Sequence, residues 1–583
     1  MKKKISIVFL LCFIITNLYS QTYIHNVTVV DVINQKLIPN QTVVLTKEII
    51  SEIKPSKKIK IPNNAKTING EGKFLIPGMT DSHVHFFQSG GLYTRPDALD
   101  LRNKMPYEKE ISWVHQNMED FLNRYLKLGI TSVIDVGATY NFLSQKNSLQ
   151  KANLPTVYMT GPLLTTYEPE VFKNRGKDEP FKLVLTTEDA KKMVQEQLPY
   201  KPDFIKIWYI VGGDKKDMEA NARKYEAVVK SAIDEAHKNN LKVAIHATER
   251  ITAQIAVENG ADFLVHNIED EIVPDSFVKL LKSKKVILNP TLTVAGNYYK
   301  TYGQKNNYNT FELNNSNPEA IGSIQDLKHL SGSSDSAIVK KLKTRFNLPQ
   351  MDVYISKKDS IRSINLKKLS DGGVTIAAGT DAGNIGTQHA TSFISELDAM
   401  KKSGMSNWQV LQSATINPAK IFNKENISGS VSTGKIADLV LLNSNPVENI
   451  EHLTEVNLVF KNGEAIDSEK AIKETPEMLV QKQVNGYNAR NIDAFLEPYS
   501  EDAELYTFPN KLISKGKEAM RTSYTEMFKR LPELHCEIKN RIVNGNFVID
   551  QESVSGMRKG QKVEATAIYE IKDGKIIKVY FLP

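Results

Sequence analysis

The chain has 583 residues, of which 41% are hydrophobic and 24% are charged, and its formal net charge at pH 7 is +8. Because a domain usually takes about 100 to 200 residues, this length predicts more than one domain. No arginine-rich patch with interleaved aromatic residues accompanies the mild positive charge, so a nucleic-acid partner is not expected.

The first 20 residues are predicted to be a secretory signal peptide. Three lysines follow Met1, an apolar stretch runs from Ile5 to Ile15, and Ser20 is a small residue at the expected cleavage point. Cys12 follows Leu11, where a lipoprotein signal would have a small residue, so we expect simple cleavage and a secreted or periplasmic protein. No later stretch is apolar for the length of a membrane span.

Two β-rich flanks surround the middle of the chain. Short strands separated by Asn and Pro turns are predicted within 21–75 and again within 426–470. Between them, strand and helix patterns alternate, which is typical of parallel βα units. Eight strands are expected there, the first being the one that ends at His85, followed by 131–136, 156–160, 204–208, 243–247, 263–268, 286–292 and 374–379.

The stretch from Phe74 to His85 carries the clearest chemical signal. It is an apolar run interrupted by Pro77 and Gly78, and it ends in His83 and His85. Side chains at positions i and i+2 of a strand point to the same face, so the two imidazoles are able to bind one metal ion.

Other residues of metal-site type stand singly at the ends of later predicted strands. They are Lys206, His246, His266 and Asp381. If eight βα units close into a barrel, its site lies at the carboxyl ends of the strands, where all of these residues are expected.

In order, residue type and strand context, these residues resemble the amidohydrolase superfamily over about residues 22 to 470. The resemblance implies an α/β fold, a (β/α)8 TIM barrel over 76–425, beside a small β-sandwich built from 21–75 and 426–470. It implies two divalent metal ions, zinc first and Mn or Fe as alternatives. His83 and His85 would hold one ion with Asp381, His246 and His266 would hold the other, and a carboxylated Lys206 would bridge them.

Lysine is a cation at neutral pH and is not an ordinary metal ligand, so the role of Lys206 depends on its conversion to a carbamate. Without carboxylation, a single metal held by His83, His85, His246 and Asp381 is the alternative, with His266 orienting water or substrate. In either case the resemblance implies a metal-activated hydroxide. Asp381 would be the catalytic proton shuttle, assisted by His266.

Residues 294–350 interrupt the strand and helix spacing. The segment is rich in Asn, Ser, Lys and Tyr, and we predict an insertion that covers the substrate side of the barrel as a lid, with a surface insertion of no role as the alternative. Tyr209, after the fourth strand, and His389, after the eighth, are predicted substrate contacts.

From about residue 476 a different pattern begins, with helices first and strands afterwards. With phrases such as Gly486 to Phe495, residues 476–583 resemble the SnoaL-like, nuclear-transport-factor-like α+β cone fold. Such a domain can be a pocket, a ligand sink or a passive surface for homo-oligomerisation.

The sequence therefore predicts an exported, metal-dependent hydrolase that cleaves a C–N bond in a small substrate, similar to imidazolonepropionase-like and prolidase-like amidohydrolases. A dipeptide or an N-acyl amino acid is the expected substrate. Cyclic amides, lactones and phosphotriesters would use the same site. A non-catalytic protein that binds a ligand in its C-terminal domain is the alternative from another class.

Overall fold

A computed structural model describes residues 21–582 apart from 215, 331–332 and 559. The predicted signal peptide, residues 1–20, lies outside the described residues. Among the described helices, none has both the length and the apolar character needed to cross a membrane.

The apolar run before the histidine pair belongs to two different sheets. Strand β5 pairs in parallel with β1, and Gly78 then leads into β6 of the central region. A Cβ atom on Gly78 would lie 2.1 Å from Thr131 Oγ1, so only glycine fits at this crossing. The first five strands are β1 (Gln21–Asp31), β2 (Lys36–Thr46), β3 (Ile49–Pro55), β4 (Lys66–Asn69) and β5 (Phe74–Pro77).

The central region contains two sheets of parallel strands, ordered β6-β7-β8 and β10-β9-β11-β12-β13-β14-β15. The eight predicted strands are all present, and β9 and β10 were not predicted. The strands are β6 (Met79–Val84), β7 (Ile130–Asp135), β8 (Thr156–Met159), β9 (Leu163–Thr165), β10 (Phe181–Leu183), β11 (Phe204–Trp208), β12 (Lys242–His246), β13 (Phe263–Val265), β14 (Ile287–Asn289) and β15 (Thr375–Ile376).

Backbone hydrogen bonds link the two central sheets at both edges. Ser82 N–H donates to the Ala378 carbonyl at 2.9 Å, and Asp203 N–H donates to the Met159 carbonyl at 2.9 Å. Facing strands share one buried apolar cluster, to which β7, β11, β12, β13 and β14 all contribute. The carboxyl ends of the parallel strands are thereby brought to one side of a common core.

Helices surround these strands. They are α1 (Tyr107–Lys127), α2 (Tyr140–Leu149), α3 (Thr187–Gln197), α4 (Met218–Lys224), α5 (Glu226–Lys238), α6 (Arg250–Glu258), α7 (Asp275–Ser283), α8 (Val294–Tyr302), α9 (Thr310–Asn315), α10 (Pro318–Asp326), α11 (Ser333–Phe346), α12 (Pro349–Asp371), α13 (Thr391–Lys402), α14 (Asn407–Ala414) and α15 (Ile416–Ile421). All of these described helices except α8, α10 and α11 place apolar side chains in or against one common core cluster.

The insertion at 294–350 is largely helical, because its asparagines cap helices. The Asn309 side chain accepts from Glu312 N–H and starts α9, and the Asn317 side chain accepts from Glu319 N–H and starts α10. Pro318 then occupies the first helical position, which needs no N–H donor. The insertion is thus a folded helical layer over the strand ends.

The two β-rich flanks meet in one eight-stranded sheet rather than in two separately bonded sheets. Its order is β18-β17-β16-β5-β1-β2-β3, with β4 paired to β1, and it closes around its own buried apolar core. The pairing of β16 with β5, Leu439 opposite Pro77, joins the early and late segments. The late strands are β16 (Leu439–Leu442), β17 (Val456–Lys461) and β18 (Glu464–Ile466).

The C-terminal domain has three helices on a six-stranded sheet of order β20-β19-β24-β23-β22-β21. The first two strands, rich in charged residues, were not predicted, whereas the other elements lie where the sequence indicated. Self-association through this domain stays a prediction. The elements are α16 (Pro476–Ala489), α17 (Ile492–Leu496), β19 (Tyr499–Thr507), β20 (Lys511–Lys515), α18 (Lys517–Arg530), β21 (His535–Asn544), β22 (Phe547–Arg558), β23 (Gln561–Lys572) and β24 (Lys575–Leu582).

Candidate metal centre

The predicted metal-site residues come together at the carboxyl ends of the central strands. Two of them have left-handed backbones: His266, which directly follows β13, has a φ of 75°, and Asp381, in the loop after β15, has a φ of 61°. Non-glycine residues adopt this conformation at a cost, which is commonly found where a site fixes a side chain. The six residues are His83 on β6, His85 just after it, Lys206 on β11, His246 on β12, His266 and Asp381.

Asp381 lies at the centre of the cluster. Its Oδ1 is 3.2 Å from His83 Nε2 and 3.1 Å from His85 Nε2, and its Oδ2 is 3.9 Å from His266 Nδ1. Among the described residues this buried oxygen has these two close imidazole contacts and no hydrogen bond of regular geometry. The rings of His246 and His266 lie 4.2 Å apart, which brings a fourth imidazole to the group.

Two of the histidines are oriented by hydrogen bonds on their other ring nitrogen. His85 Nδ1 lies 3.1 Å from the Gly137 carbonyl, and His266 Nδ1 lies 2.7 Å from Thr291 Oγ1. Such partners fix the tautomer of a metal-binding histidine and direct the free nitrogen. At His85 the free nitrogen is Nε2, the atom that faces Asp381.

Asp81 holds the loop of Asp381 against β6 and is not itself in the cluster. Its carboxylate accepts hydrogen bonds from Thr380 N–H at 3.1 Å and from Thr380 Oγ1 at 2.7 Å. Burial raises the pKa of Asp81 to about 7. The threonine next to Asp381 is thereby anchored to the strand that carries the first two histidines.

The electrostatics of the cluster suit a divalent cation. Burial lowers the pKa of His83 to about 4 and the pKa values of His246 and His266 well below the usual range. Burial opposes ionisation of Asp381, but the contacts with His83, His85 and His266 together outweigh it and hold the pKa of that carboxyl well below its ordinary value. Neutral imidazoles and an ionised carboxylate are the ligand set that zinc and similar metals prefer.

Lys206 is almost completely buried beside this cluster, with 1% of its surface exposed. Within the described part of the chain no carboxylate forms an ion pair with its ammonium, and burial lowers the pKa of Lys206 to about 7. A buried cation without a paired anion is unfavourable. The position therefore favours the uncharged amine, which is the form that reacts with CO₂.

The cluster opens into a cavity of about 320 Å³. Its walls include Val294, Ala295 and Tyr298 from the start of the 294–350 insertion, and a lid role for the whole segment stays a prediction. Residues that line it include His85, Phe87, Gln88, Arg95, Leu163, Phe181, Lys206, Trp208, His246, His266, Glu269, Val294, Ala295, Tyr298, Arg362, Asp381 and Asn384.

The two predicted substrate contacts, Tyr209 and His389, do not line this cavity. Tyr209 is fully buried and donates its hydroxyl to the Ala222 carbonyl. His389 stacks on Phe86 and interacts with the Gln88 carbonyl and Tyr125 instead. Position along the chain placed both near the strand ends, but their side chains turn into the core.

Sequence reasoning missed the two arginines of the cavity wall. Arg95 follows His85 by ten positions in the loop after β6, and Arg362 lies on α12. Arg362 is 4% exposed, it binds Glu269 and Asp359, and its Nη2 has no partner among the described residues. The loop position was a usable signal for Arg95, whereas no pattern along α12 distinguishes Arg362 from other surface cations.

Comparison with known proteins agrees with this architecture. An imidazolonepropionase of Bacillus cytotoxicus is 30% identical over 143 residues, which are 23% of this chain and 33% of that protein. The chain thus matches about a third of the length of this relative. Among solved structures, a Xaa-Pro dipeptidase with bound methionine has a TM-score of 0.57 at 22% identity and covers 77% of this chain and 100% of its own.

Phenylurea hydrolase B is similar in fold, with a TM-score of 0.55 at 18% identity over 77% of this chain and 97% of its own. These neighbours imply a TIM-barrel fold for the central region. The profile of the amidohydrolase family matches residues 74–466, and that of the SnoaL-like domain matches residues 480–579. The chain belongs to the amidohydrolase family and carries a C-terminal SnoaL-like domain.

Proposed function

We propose that the protein is a metal-dependent hydrolase that cleaves the C–N bond of a dipeptide or an N-acyl amino acid. One observation carries the proposal, the convergence of four histidines and Asp381 around a buried lysine at the floor of a cavity. Membership of the amidohydrolase family supports the reaction class. The substrate class rests on the charge of the cavity wall.

We further propose two divalent metal ions, zinc in the first place, with His83, His85 and Asp381 holding one, and His246 and His266 holding the other. Lys206, carboxylated on Nζ, would lie between them. When bound, such ions lower the pKa of a water molecule and polarise the carbonyl of the substrate. The unpaired oxygen of Asp381 and the neutral imidazoles fit this ligand role.

Asp381 is the proposed proton carrier. Its carboxylate is anionic because of its histidine neighbours, so it can accept a proton from the attacking water and deliver it to the leaving nitrogen. His266, held by Thr291, keeps its ring next to the Asp381 carboxylate and orients it towards the reacting atoms. An amine leaving group requires such a proton, because an amide anion is too basic to leave.

Arg362 is the proposed partner of the substrate carboxylate. It lines the cavity with one guanidinium nitrogen unpaired, while Glu269 and Asp359 hold the remainder of the group in place. The remaining nitrogen, Nη2, can donate a hydrogen bond to a carboxylate, and a hydrogen bond formed by charged groups contributes about 1.5 to 3 kcal/mol. Dipeptides and N-acyl amino acids both present this carboxylate.

Metal content and turnover together test the reaction class. We expect about two zinc ions per chain after purification without chelator, and a mass increase of one CO₂ at Lys206 in a native peptide map. His83→Ala should lose metal and turnover, whereas the control His237→Ala, at a surface site paired with Asp262, should keep both. Full turnover in His83→Ala contradicts the proposal.

The substrate class is tested by Arg362→Lys with two matched substrates, an N-acyl amino acid and its carboxamide. We expect kcat/KM for the acid to fall by about 10- to 100-fold, since an ammonium cannot keep the Glu269 and Asp359 contacts and also reach the substrate as Nη2 does, and that for the carboxamide to change little. An equal loss for both would contradict carboxylate binding by Arg362. If the protein hydrolyses only lactones or phosphotriesters, the proposed substrate class is wrong, whereas the proposed metal site is unaffected.

We also propose export, which rests on the basic and apolar pattern of residues 1–20. The intact mass of the protein from the periplasmic or extracellular fraction tests it. A mature chain that begins at Gln21 is expected, and a cell-associated chain that retains Met1 would contradict export.

A further inference from the structure

The C-terminal domain docks on helix α10 of the insertion. Asn485 on α16 is fully buried, and its side-chain Nδ2 donates to the Pro318 carbonyl at 2.7 Å. The Gln325 side chain donates in turn to the Asn485 carbonyl at 3.1 Å. One residue of the domain therefore holds both ends of α10.

The middle of α10 is in close contact with α16 as well. A Cβ atom on Gly322 would lie 2.7 Å from Asn485 Oδ1 and 2.7 Å from Gln481 Nε2, so the helices approach as closely as a glycine allows. Leu313, Ile321 and Ala494 form a buried apolar cluster across the same interface. A close-packed contact of this kind transmits displacement instead of absorbing it.

The next residue of α10 holds a loop of the catalytic cavity. Ser323 Oγ accepts a hydrogen bond from Leu92 N–H at 2.9 Å, and Gly91 packs against the same oxygen. Leu92 is fully buried and packs in one cluster with Ile324 and Leu327. This loop follows the histidine pair directly along the chain.

The loop continues to Arg95 in the cavity wall. Arg95 Nη1 donates to Asn384 Oδ1 at 2.6 Å and to the Tyr298 hydroxyl at 3.2 Å, and Tyr298 donates to Asn384 Oδ1 at 2.7 Å. Three cavity residues from three segments are thus joined at one point. The position of this group depends on the loop that α10 holds.

We infer that the SnoaL-like domain is a positioning element for the catalytic cavity. Asn485 and Gly322 fix α10, α10 fixes the loop of Leu92, and the loop sets Arg95 and the wall that receives substrate. This inference rests on the proposed hydrolase function. The residues of the metal cluster have their own strand and loop anchors, so the domain acts on substrate affinity and leaves the chemical step alone.

The test compares Asn485→Ala with Asn488→Ala in the full chain. Asn488 is the matched control, because it lies one turn further on α16 and bonds to the backbone of Cys536 inside the domain. For Asn485→Ala with an N-acetyl amino acid, we expect KM to rise by about fivefold or more while kcat stays within about twofold. Asn488→Ala should leave both unchanged at a temperature where it is folded.

Hydrogen exchange gives a readout that does not need turnover. The amides of 89–95 and 318–326 should exchange faster in Asn485→Ala than in the parent chain and in Asn488→Ala. Amide exchange tests the inference separately from the proposed function. If exchange is faster in Asn485→Ala but the parent chain hydrolyses no substrate, the proposed function is wrong and the inference about position stands. Unchanged exchange in 89–95, or an equal KM increase in both variants, overturns the inference.

Gly322→Ala provides a second variant whose effect does not depend on loss of a hydrogen bond. Its added methyl should push α10 away from α16 and reproduce the KM increase. Combined with Asn485→Ala, which removes one of the two colliding amides, the effect should be smaller than the product of the two single effects. If the KM increase of the double variant equals the product of the two single increases, the contact between α10 and α16 does not set the position of the cavity loop.

Discussion

The strand ends of the barrel region and the interior of the SnoaL-like domain both bury titratable side chains, but they satisfy them differently. In the barrel region, Asp381 Oδ1 and His83 Nδ1 have no hydrogen-bond partner among the described residues. In the C-terminal domain, Tyr569 donates to Glu552 at 2.9 Å and accepts from Gln483 at 3.0 Å. The strand ends thus leave ligand-type atoms for a bound ion to satisfy, whereas the hydroxyl of Tyr569 has both of its partners; at the edge of the domain, His535 Nε2 lies beside Asp326 but has no hydrogen bond of regular geometry among the described residues.

This difference distinguishes a ligand-binding site from a structural core. A buried polar group without a partner costs free energy, so a protein retains it where a ligand supplies the missing interaction. A satisfied network contributes to stability and to a single packing arrangement. The comparison therefore favours catalysis at the strand ends over ligand binding inside the C-terminal domain.

Asp381→Asn should produce the largest effect, and it should be on activity. Loss of the proton carrier and of an anionic ligand is expected to reduce kcat by about 10²- to 10⁴-fold. The melting temperature of the metal-free protein should change far less than the activity, because Asp381 Oδ1 makes no regular hydrogen bond among the described residues. Steady-state kinetics and calorimetry measure the two effects.

Asp398→Asn, on the partly exposed face of α13 beside Lys402, is the matched control. It should leave both quantities unchanged. Equal loss of stability and activity in Asp381→Asn would mean that the carboxylate is a structural residue, and the distinction between the two regions would fail.

The sequence predicted the strand ends well because their chemistry is local. His83 and His85 share a strand face by periodicity alone, and Lys206, His246, His266 and Asp381 each follow an apolar run, so the parallel-strand rule brings them together. Tyr209 and His389 failed because the direction of a side chain after a strand depends on tertiary packing.

Other features depended on contacts that no local pattern records. Arg362 reaches the cavity only because Asn267 donates to its carbonyl and fixes α12 against the strand ends. The helices of the insertion were missed because an Asn-rich segment is typical of loops, although here Asn309 and Asn317 act as caps. The extent of the docking interface at Asn485 follows from long-range packing.

Tyr569→Phe tests the other side of the comparison and should affect stability. Removal of the hydroxyl takes away the shared partner of Glu552 Oε1 and Gln483 Nε2, and the expected loss in free energy of unfolding is about 1 to 3 kcal/mol. Turnover below the unfolding temperature should be unchanged. The control Tyr506→Phe removes a hydroxyl that bonds Glu504 near the surface, and it should leave the free energy of unfolding nearly unchanged. Lost turnover in folded Tyr569→Phe would assign a function to this interior.

Glu552→Gln should give the smallest effect, and one that depends on pH. Burial raises the pKa of Glu552 from its ordinary value of 4.5 to about 7, so the folded chain binds more protons than the unfolded chain between these values. The stability of the parent chain therefore falls as the pH rises through this window, and the glutamine variant avoids that loss. At pH 8 we expect Glu552→Gln to be more stable than the parent by about 1 to 2 kcal/mol, with little difference at pH 4.5.

Denaturant unfolding at both pH values measures this difference, with the exposed Glu501→Gln as control. A difference in stability that does not vary with pH would mean that Glu552 is not held in its neutral form. The interior of the domain would then contain an ionised buried carboxylate, as the barrel site does at Asp381.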